Sequence, residues 1–204
     1  MINTEIFKHL QEESDRASKF LASWLGEPEW CIGTGYRNTH RRAIAPNTSS
    51  AFVAGAVSQG IEPFVANVFQ QKLPHIGTIE RINPTLLKLL KEKSIYNEDV
   101  VTAIALDNGS VQNISGLTEH EKNVFKTAYE INQEAIIDYA EHRQQYIDQG
   151  QSLNLFFSAT EDELWIKEVH KHAFQQKRLK ALYYVRTQTG ISADKGDECL
   201  VCEG

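Results

Sequence analysis

Helix-start signals recur along this chain and limit it to modest helices separated by short apolar runs. Asn83-Pro84 is a cap followed by proline at the first helical position, opening a helix through Leu86, Leu87 and Leu90. Thr118 with Glu121, and Thr160 with Glu163, have the spacing of capping boxes. The first predicts a helix to about Tyr129, the second a helix over 161–180 with acids at its start and bases at its end. Ile2, Ile6, Leu10, Ala17, Leu21 and Trp24 recur at helical spacing and predict an amphipathic helix stopped near Gly26 and Pro28. Further helices are expected over 97–105 and 133–148, with a turn at Asp107-Asn108-Gly109-Ser110. Strand character is confined to 42–45, 65–73, 152–157 and 182–185. Such interleaving predicts a helix-rich α/β fold. No repeat or linker divides it, so 1–186 reads as one unit. From Thr187 the apolar pattern gives way to Gly, Ser, Asp and Lys, and 187–204 reads as a mobile tail.

The 204 residues are 41% hydrophobic, enough for one core or two small ones. A formal charge of −6 argues against bulk attraction to nucleic acid or an anionic membrane. No apolar run approaches the roughly 18 residues of a membrane-spanning helix. Three cysteines do not make a secreted disulfide framework, so a reducing, cytoplasmic compartment is expected.

Three groups of residues could carry chemistry. In Pro46-Asn47-Thr48-Ser49-Ser50 a strand ends and hydroxyl and amide side chains lead toward a helix at 51–54. A helix start of this kind suits a phosphate or diphosphate, although the loop taken alone reads first as an ordinary Ser/Thr cap, since it lacks the glycines of a Walker or Rossmann motif. Arg37, Arg41 and Arg42 lie upstream, and Glu62 is a candidate buried carboxylate near the loop. Tyr183-Tyr184 is either ordinary packing or a redox-active phenol pair. Successive side chains on an ideal strand point to opposite faces, so a stacked pair requires the backbone to bend there. Cys199 and Cys202 form a CxxC close to the last residue, either an electron carrier or an inert tail. Zinc is not expected: no second ligand pair accompanies them, and His170 and His172 do not share a helix face. Acidic neighbours disfavour a thiolate. Cys31 is taken as structural.

In this order the motifs resemble the C-terminal third of the large (α) subunit of class I ribonucleotide reductase. They are Arg37-Asn38-Thr39-His40, Ile44 through Ser50, Ser58-Gln59-Gly60-Ile61-Glu62-Pro63, Phe69 through Leu90, Asn108-Gly109-Ser110, Ile147 through Asn154, and Leu182-Tyr183-Tyr184 with trailing cysteines. The resemblance implies the last strands and outer helices of a ten-stranded α/β barrel. It implies that Asn47, Thr48, Ser49 and Ser50 hold the diphosphate of a ribonucleoside diphosphate. Tyr183 and Tyr184 would relay a radical from the small (β) subunit, and Cys199 and Cys202 would shuttle electrons from thioredoxin or glutaredoxin. The chain itself would bind no cofactor, since the radical would come from the small subunit's metal cofactor. The region 161–180 resembles the docking area for the small subunit's tail.

The family's radical cysteine, its redox-active pair and its nucleotide-effector sites have no counterpart in this sequence. The chain is therefore expected to act with a separately encoded N-terminal fragment of the large subunit, as the product of a split gene or as a truncated form. The alternative is a non-catalytic remnant that binds the small subunit or that fragment. An independent thiol–disulfide protein is a third class, disfavoured by the acidic flanks.

Overall fold

The structure, a computed structural model, describes residues 2–55, 57–73 and 77–188. It falls into two compact units. One comprises the residues up to Ala45 with Asn132–Leu155 and Asp162–Tyr184; the other comprises Pro46–Ile131, Phe156–Glu161 and the residues from Val185.

In the first unit, helix α1 (Ile2–Leu25) packs against α6 (Gln133–Gln144), which also packs against α7 (Glu163–Gln175). Ser18 and Ala22 of α1, Ile136, Ile137 and Ala140 of α6, and Val169 and Ala173 of α7 are buried. Small residues let the helices approach closely, and Cys31 is buried as a small core residue.

Helix α6 stops at Gln144, short of the expected 148. There the Gln144 amide donates to the carbonyls of Ile147 (3.1 Å) and Gln149 (2.9 Å), turning the chain out of the helix. Helix α7 departs from expectation at both ends. Its N-cap is Asp162, whose Oδ1 accepts from the Leu164 N–H at 3.0 Å, rather than Thr160 in a capping box. The Thr160 N–H instead donates to Ser158 Oγ at 3.3 Å. The helix ends at Gln175 rather than 180, because buried Glu141 accepts from the N–H groups of Arg178 (2.9 Å) and Leu179 (2.8 Å).

The second unit holds α2 (Thr48–Val53), the antiparallel strands β1 (Val68–Leu73) and β2 (Gly77–Ile82), α3 (Pro84–Glu92), α4 (Glu98–Leu106) and α5 (Glu119–Val124). Its core is Val68, Leu86, Leu90, Ile104, Val111, Ile114, Leu117 and Phe125. Asn83 caps α3 as expected, its Oδ1 accepting from the Thr85 N–H at 3.1 Å, and Asn97 caps α4. The Thr118–Glu121 capping box also forms. Helix α5 nevertheless ends at Val124, well before Tyr129, and a second box from Thr127 to Glu130 starts a separate 3-10 turn at Ala128–Glu130.

Buried Asn67 joins these pieces. Its side-chain amide donates to the carbonyls of Gly109 (3.0 Å) and Phe125 (2.7 Å), and its Oδ1 accepts from Asn83 Nδ2 (3.0 Å). Truncating one partner in such a network leaves buried polar groups unsatisfied, at about 1–3 kcal/mol each. Asn67→Ala is therefore expected to lower the unfolding free energy by several kcal/mol, read as a lower denaturant midpoint, while exposed Asn113→Ala should be near neutral.

Strand β3 (Leu155–Ser158) pairs with β4 (Val185–Gln188). Each begins about three residues later than its predicted strand, and β4 includes Thr187 and Gln188, which the sequence assigned to the tail. The rest of that tail, with Cys199 and Cys202, lies outside the described residues. The expected strand at 42–45 reduces to one parallel bridge between Ile44 and Gln151.

Candidate functional site

The tyrosine pair belongs to the first unit. Residues 181–184 are neither helix nor strand, and β4 starts only at Val185. With strand alternation suspended, the Tyr183 and Tyr184 rings lie with centroids 4.0 Å apart and planes tilted by 46°. The backbone there is coil, so neighbouring side chains are not held to opposite faces. The Tyr183 N–H donates to the Leu153 carbonyl at 2.8 Å, and the Leu155 N–H donates to the Tyr184 carbonyl at 2.9 Å. The Tyr184 N–H reaches Asn154 Oδ1 at 3.3 Å. Both rings remain about half exposed, at 49% and 40%.

Residues 147–154 hold other segments in place. Gln151 is buried, donating to the Ala140 carbonyl (2.9 Å) and Gln144 Oε1 (2.8 Å) and accepting from Arg143 Nε. The Ser152 N–H donates to the Ile44 carbonyl at 2.9 Å. The run of amide side chains Gln149, Gln151 and Asn154 was the available signal, but their partners are too distant in sequence to be read.

Asp148 explains where the arginines go. Its carboxylate accepts from the backbone N–H groups of Arg41 and Arg42, and Asp15 binds Arg41 Nε at 2.7 Å and Arg42 Nη1 at 2.6 Å. Arg37 caps the end of α1 by donating to the Gly26 carbonyl at 2.9 Å. These arginines serve the fold. Burial would raise the pKa of Asp15, but the hydrogen bonds and charges of Arg42 and Arg41 outweigh it and hold the group below its ordinary value. For Asp148 burial is likewise outweighed, here chiefly by the two backbone N–H groups. Carboxylates with depressed folded-state pKa values stabilise above their unfolded pKa of about 4, and that contribution is lost as pH falls through the folded value. Melting temperature should therefore drop on acidification below about pH 4, and Asp148→Asn should flatten that acid limb. An unchanged acid limb in the variant would contradict this assignment.

In the second unit, Thr48, Ser49 and Ser50 form the first turn of α2, which begins three residues earlier than the sequence suggested. The Asn47 carbonyl accepts from the Ala51 N–H at 2.9 Å, while the Asn47 N–H donates to the Gln59 carbonyl at 2.7 Å. The loop is thus tied to 58–62, where Ser58 Oγ donates to the Glu62 carbonyl at 2.6 Å and the Glu62 side chain is buried as anticipated. Tyr129, also in this unit, packs edge-on against Phe156, and burial raises its phenol pKa against the opposing charge of Arg186. Among the described residues no group of three or more His, Cys, Asp or Glu could hold a metal ion. No described helix is long and apolar enough to cross a membrane.

A family profile described as "Ribonucleotide reductase, barrel domain" matches residues 5–185. The chain belongs to the ribonucleotide reductase barrel-domain family. It corresponds to the C-terminal part of the large subunit's barrel domain. The ribonucleoside-diphosphate reductase large subunit of Invertebrate iridescent virus 3 is 37% identical across all of this chain, which covers 34% of that protein. The corresponding Danio rerio large subunit is 33% identical over 84% of the chain, covering 21% of its own length. Among solved structures, the class Id ribonucleotide reductase alpha subunit of Actinobacillus ureae superposes with a TM-score of 0.80 at 40% identity. That match covers 92% of this chain and 34% of the alpha subunit. The chain therefore spans about a third or less of the length of these ribonucleotide reductase relatives.

Proposed function

We propose that this chain is the C-terminal, radical-relay and thiol-shuttle portion of a ribonucleoside-diphosphate reductase, part of a ten-stranded α/β barrel. It would act in the cytoplasm with the remaining N-terminal portion of the large subunit and with the radical-generating small subunit. The observation that carries the reading is the ring contact of Tyr183 and Tyr184 at 4.0 Å within a chain of this family. Each phenol gives up one proton and one electron together, and its neighbour's radical accepts them. A 4.0 Å ring separation suits such short-range transfer, and partial exposure leaves room for a partner surface. The radical itself would come from the small subunit's metal cofactor. Asn47, Thr48, Ser49 and Ser50 would hold the substrate's diphosphate, supported by the first-turn position of the last three and by the family resemblance. Cys199 and Cys202 would return two electrons and two protons to an active-site disulfide on the N-terminal portion. They would then be oxidised to a disulfide, which thioredoxin or glutaredoxin reduces.

Cys199→Ser separates the shuttle from the relay. In a reconstituted complex it should stop thioredoxin-driven multiple turnover while sparing a single turnover from prereduced enzyme. Loss of the single turnover as well would remove the shuttle assignment. One other reading is a non-catalytic remnant that binds its partners without supporting turnover. Such a remnant would bind the N-terminal portion and the small subunit yet leave ribonucleotide reduction unrestored.

A further inference from the structure

Glu141 is a buried carboxylate to which the proposed chemistry assigns nothing. It lies near the end of α6 and is only 8% exposed. A carboxylate out of water is tolerated where donors surround it, and three do so here. The backbone N–H groups of Arg178 and Leu179 donate to Oε2 at 2.9 and 2.8 Å, and Arg178 Nη1 donates to Oε1 at 3.1 Å. Two of these donors are backbone, so Glu141 fixes the course of the chain as well as one side chain. All three lie beyond Gln175, the last residue of α7, on the segment that leads to the tyrosines.

That segment, 176–184, is neither helix nor strand, so its course is set by ties to other parts of the same unit. Glu141 holds residues 178–179. Lys180 Nζ donates to the Asp148 carbonyl at 2.6 Å, and the Tyr183 N–H donates to the carbonyl of buried Leu153. Both ends of the run lead back to one place on α6. Leu179 is bonded to Glu141 directly, while Leu153 follows Gln151, whose amide donates to the carbonyl of neighbouring Ala140 at 2.9 Å. Only residues 180–182 separate the anchored Leu179 from the anchored Tyr183, so slack at the first anchor reaches the second.

We infer that Glu141 is a positioning residue for the tyrosine pair, acting through the backbone of 178–183. This rests on the proposed radical relay and deepens it by adding a residue that sets where the rings lie. Misplacing reacting groups by about 1 Å can cost about 100-fold in rate, so a clamp on the incoming chain bears on turnover.

Glu141→Ala removes all three contacts, and Glu141→Gln keeps one acceptor oxygen at the same length. Amide hydrogen exchange on the full chain reads the clamp without any turnover. In Glu141→Ala the N–H groups of Leu179 and Tyr183 should exchange at least about 10-fold faster, with those of Ile137 and Val169 unchanged. Activity is read in a complex of this chain with a large subunit lacking the matched third and with the small subunit. There Glu141→Ala should lower kcat at least about 10-fold at nearly constant KM for the ribonucleoside diphosphate. Glu141→Gln should fall between it and wild type in both readings. Asp138→Ala removes a different contact between α6 and α7, the carboxylate bonded to His172 Nε2 at 2.7 Å, and should match wild type in both. Faster exchange at Leu179 with Tyr183 unchanged would overturn the inference. So would equal losses of kcat in Glu141→Ala and Asp138→Ala, which would assign the effect to helix packing in general. If Glu141→Ala does not fold, Glu141→Gln carries the test, and wild-type exchange and kcat in that variant would contradict the role. If the wild-type complex forms no product, the proposed function fails by itself, and exchange at Tyr183 alone decides whether Glu141 fixes the tyrosines.

Discussion

Tyr183→Phe and Tyr184→Phe are each expected to lower ribonucleotide reduction by more than about 100-fold in a reconstituted complex, equivalent to at least about 2.7 kcal/mol of barrier. Phenylalanine keeps the ring and its packing, so the 4.0 Å contact is preserved and the fold should melt at an unchanged temperature. What disappears is the phenolic hydrogen. Without it the side chain cannot surrender a proton together with an electron, and the proposed relay would be broken at that step. Substrate binding should be little affected, because the proposed diphosphate loop is held by Gln59 and its own helix turn. The effect should therefore fall on kcat, with KM nearly constant. Asn154→Ala offers an intermediate case. It removes the acceptor of the Tyr184 N–H and leaves both phenols, so a smaller loss of activity is expected. Full activity in both phenylalanine variants would remove the relay from the mechanism.

Gly109→Ala should be the most destabilising single-methyl change in the second unit. Gly109 has φ +79°, where an L side chain costs about 1–2 kcal/mol. An added Cβ would also sit 2.4 Å from the Ala66 Cβ, 2.5 Å from its Cα and 2.7 Å from the Asn67 nitrogen. Two of those are backbone atoms that cannot swing aside, and Asn67 anchors the buried amide network. Overpacking of this kind adds about 1–3 kcal/mol, so a total near 3–4 kcal/mol is expected. For a chain of this size that corresponds to a fall of roughly 10 °C in melting temperature. Gly26→Ala is the matched control: its φ is +77°, but nothing lies within 4 Å of the added methyl. It should show only the conformational part, about 1–2 kcal/mol. Equal losses in the two variants would mean that the contact with Ala66 and Asn67 is relieved by a small shift.

Local signals were read well because their partners are near in sequence. Asn83 satisfies N–H groups two and three residues away, and Thr118 and Glu121 satisfy each other, so cap and spacing suffice. Where a nearer acceptor competes, as Asp162 does with Thr160, the same reasoning misplaces the cap. Helix ends failed more often: α6 is ended by its own Gln144 bonding to the carbonyls of Ile147 and Gln149, and α7 by Glu141, 37 residues from Arg178. Strand β2 was missed because its alternation, Thr78, Ile79, Glu80, Arg81, Ile82, is only half apolar and its pairing with β1 decides it. The destination of Arg41 and Arg42 was illegible for the same reason, with Asp15 and Asp148 lying 26 and 107 residues from Arg41. At the candidate site, the residue types and their order pointed to the family. The hydrogen bonds that hold the coil at Tyr183 and Tyr184 come from Leu153, Asn154 and Leu155, about 30 residues away, and only the structure supplied them.

The most direct measurement is complementation. A large subunit lacking the matched third, such as that of Actinobacillus ureae, is combined with its small subunit, a ribonucleoside diphosphate and reduced thioredoxin, with and without this chain. Deoxyribonucleoside diphosphate should form only when the chain is present and should fall to background with Tyr184→Phe. Stable assembly of all components with no deoxyribonucleotide formed would contradict the proposed role and leave a binding remnant in its place.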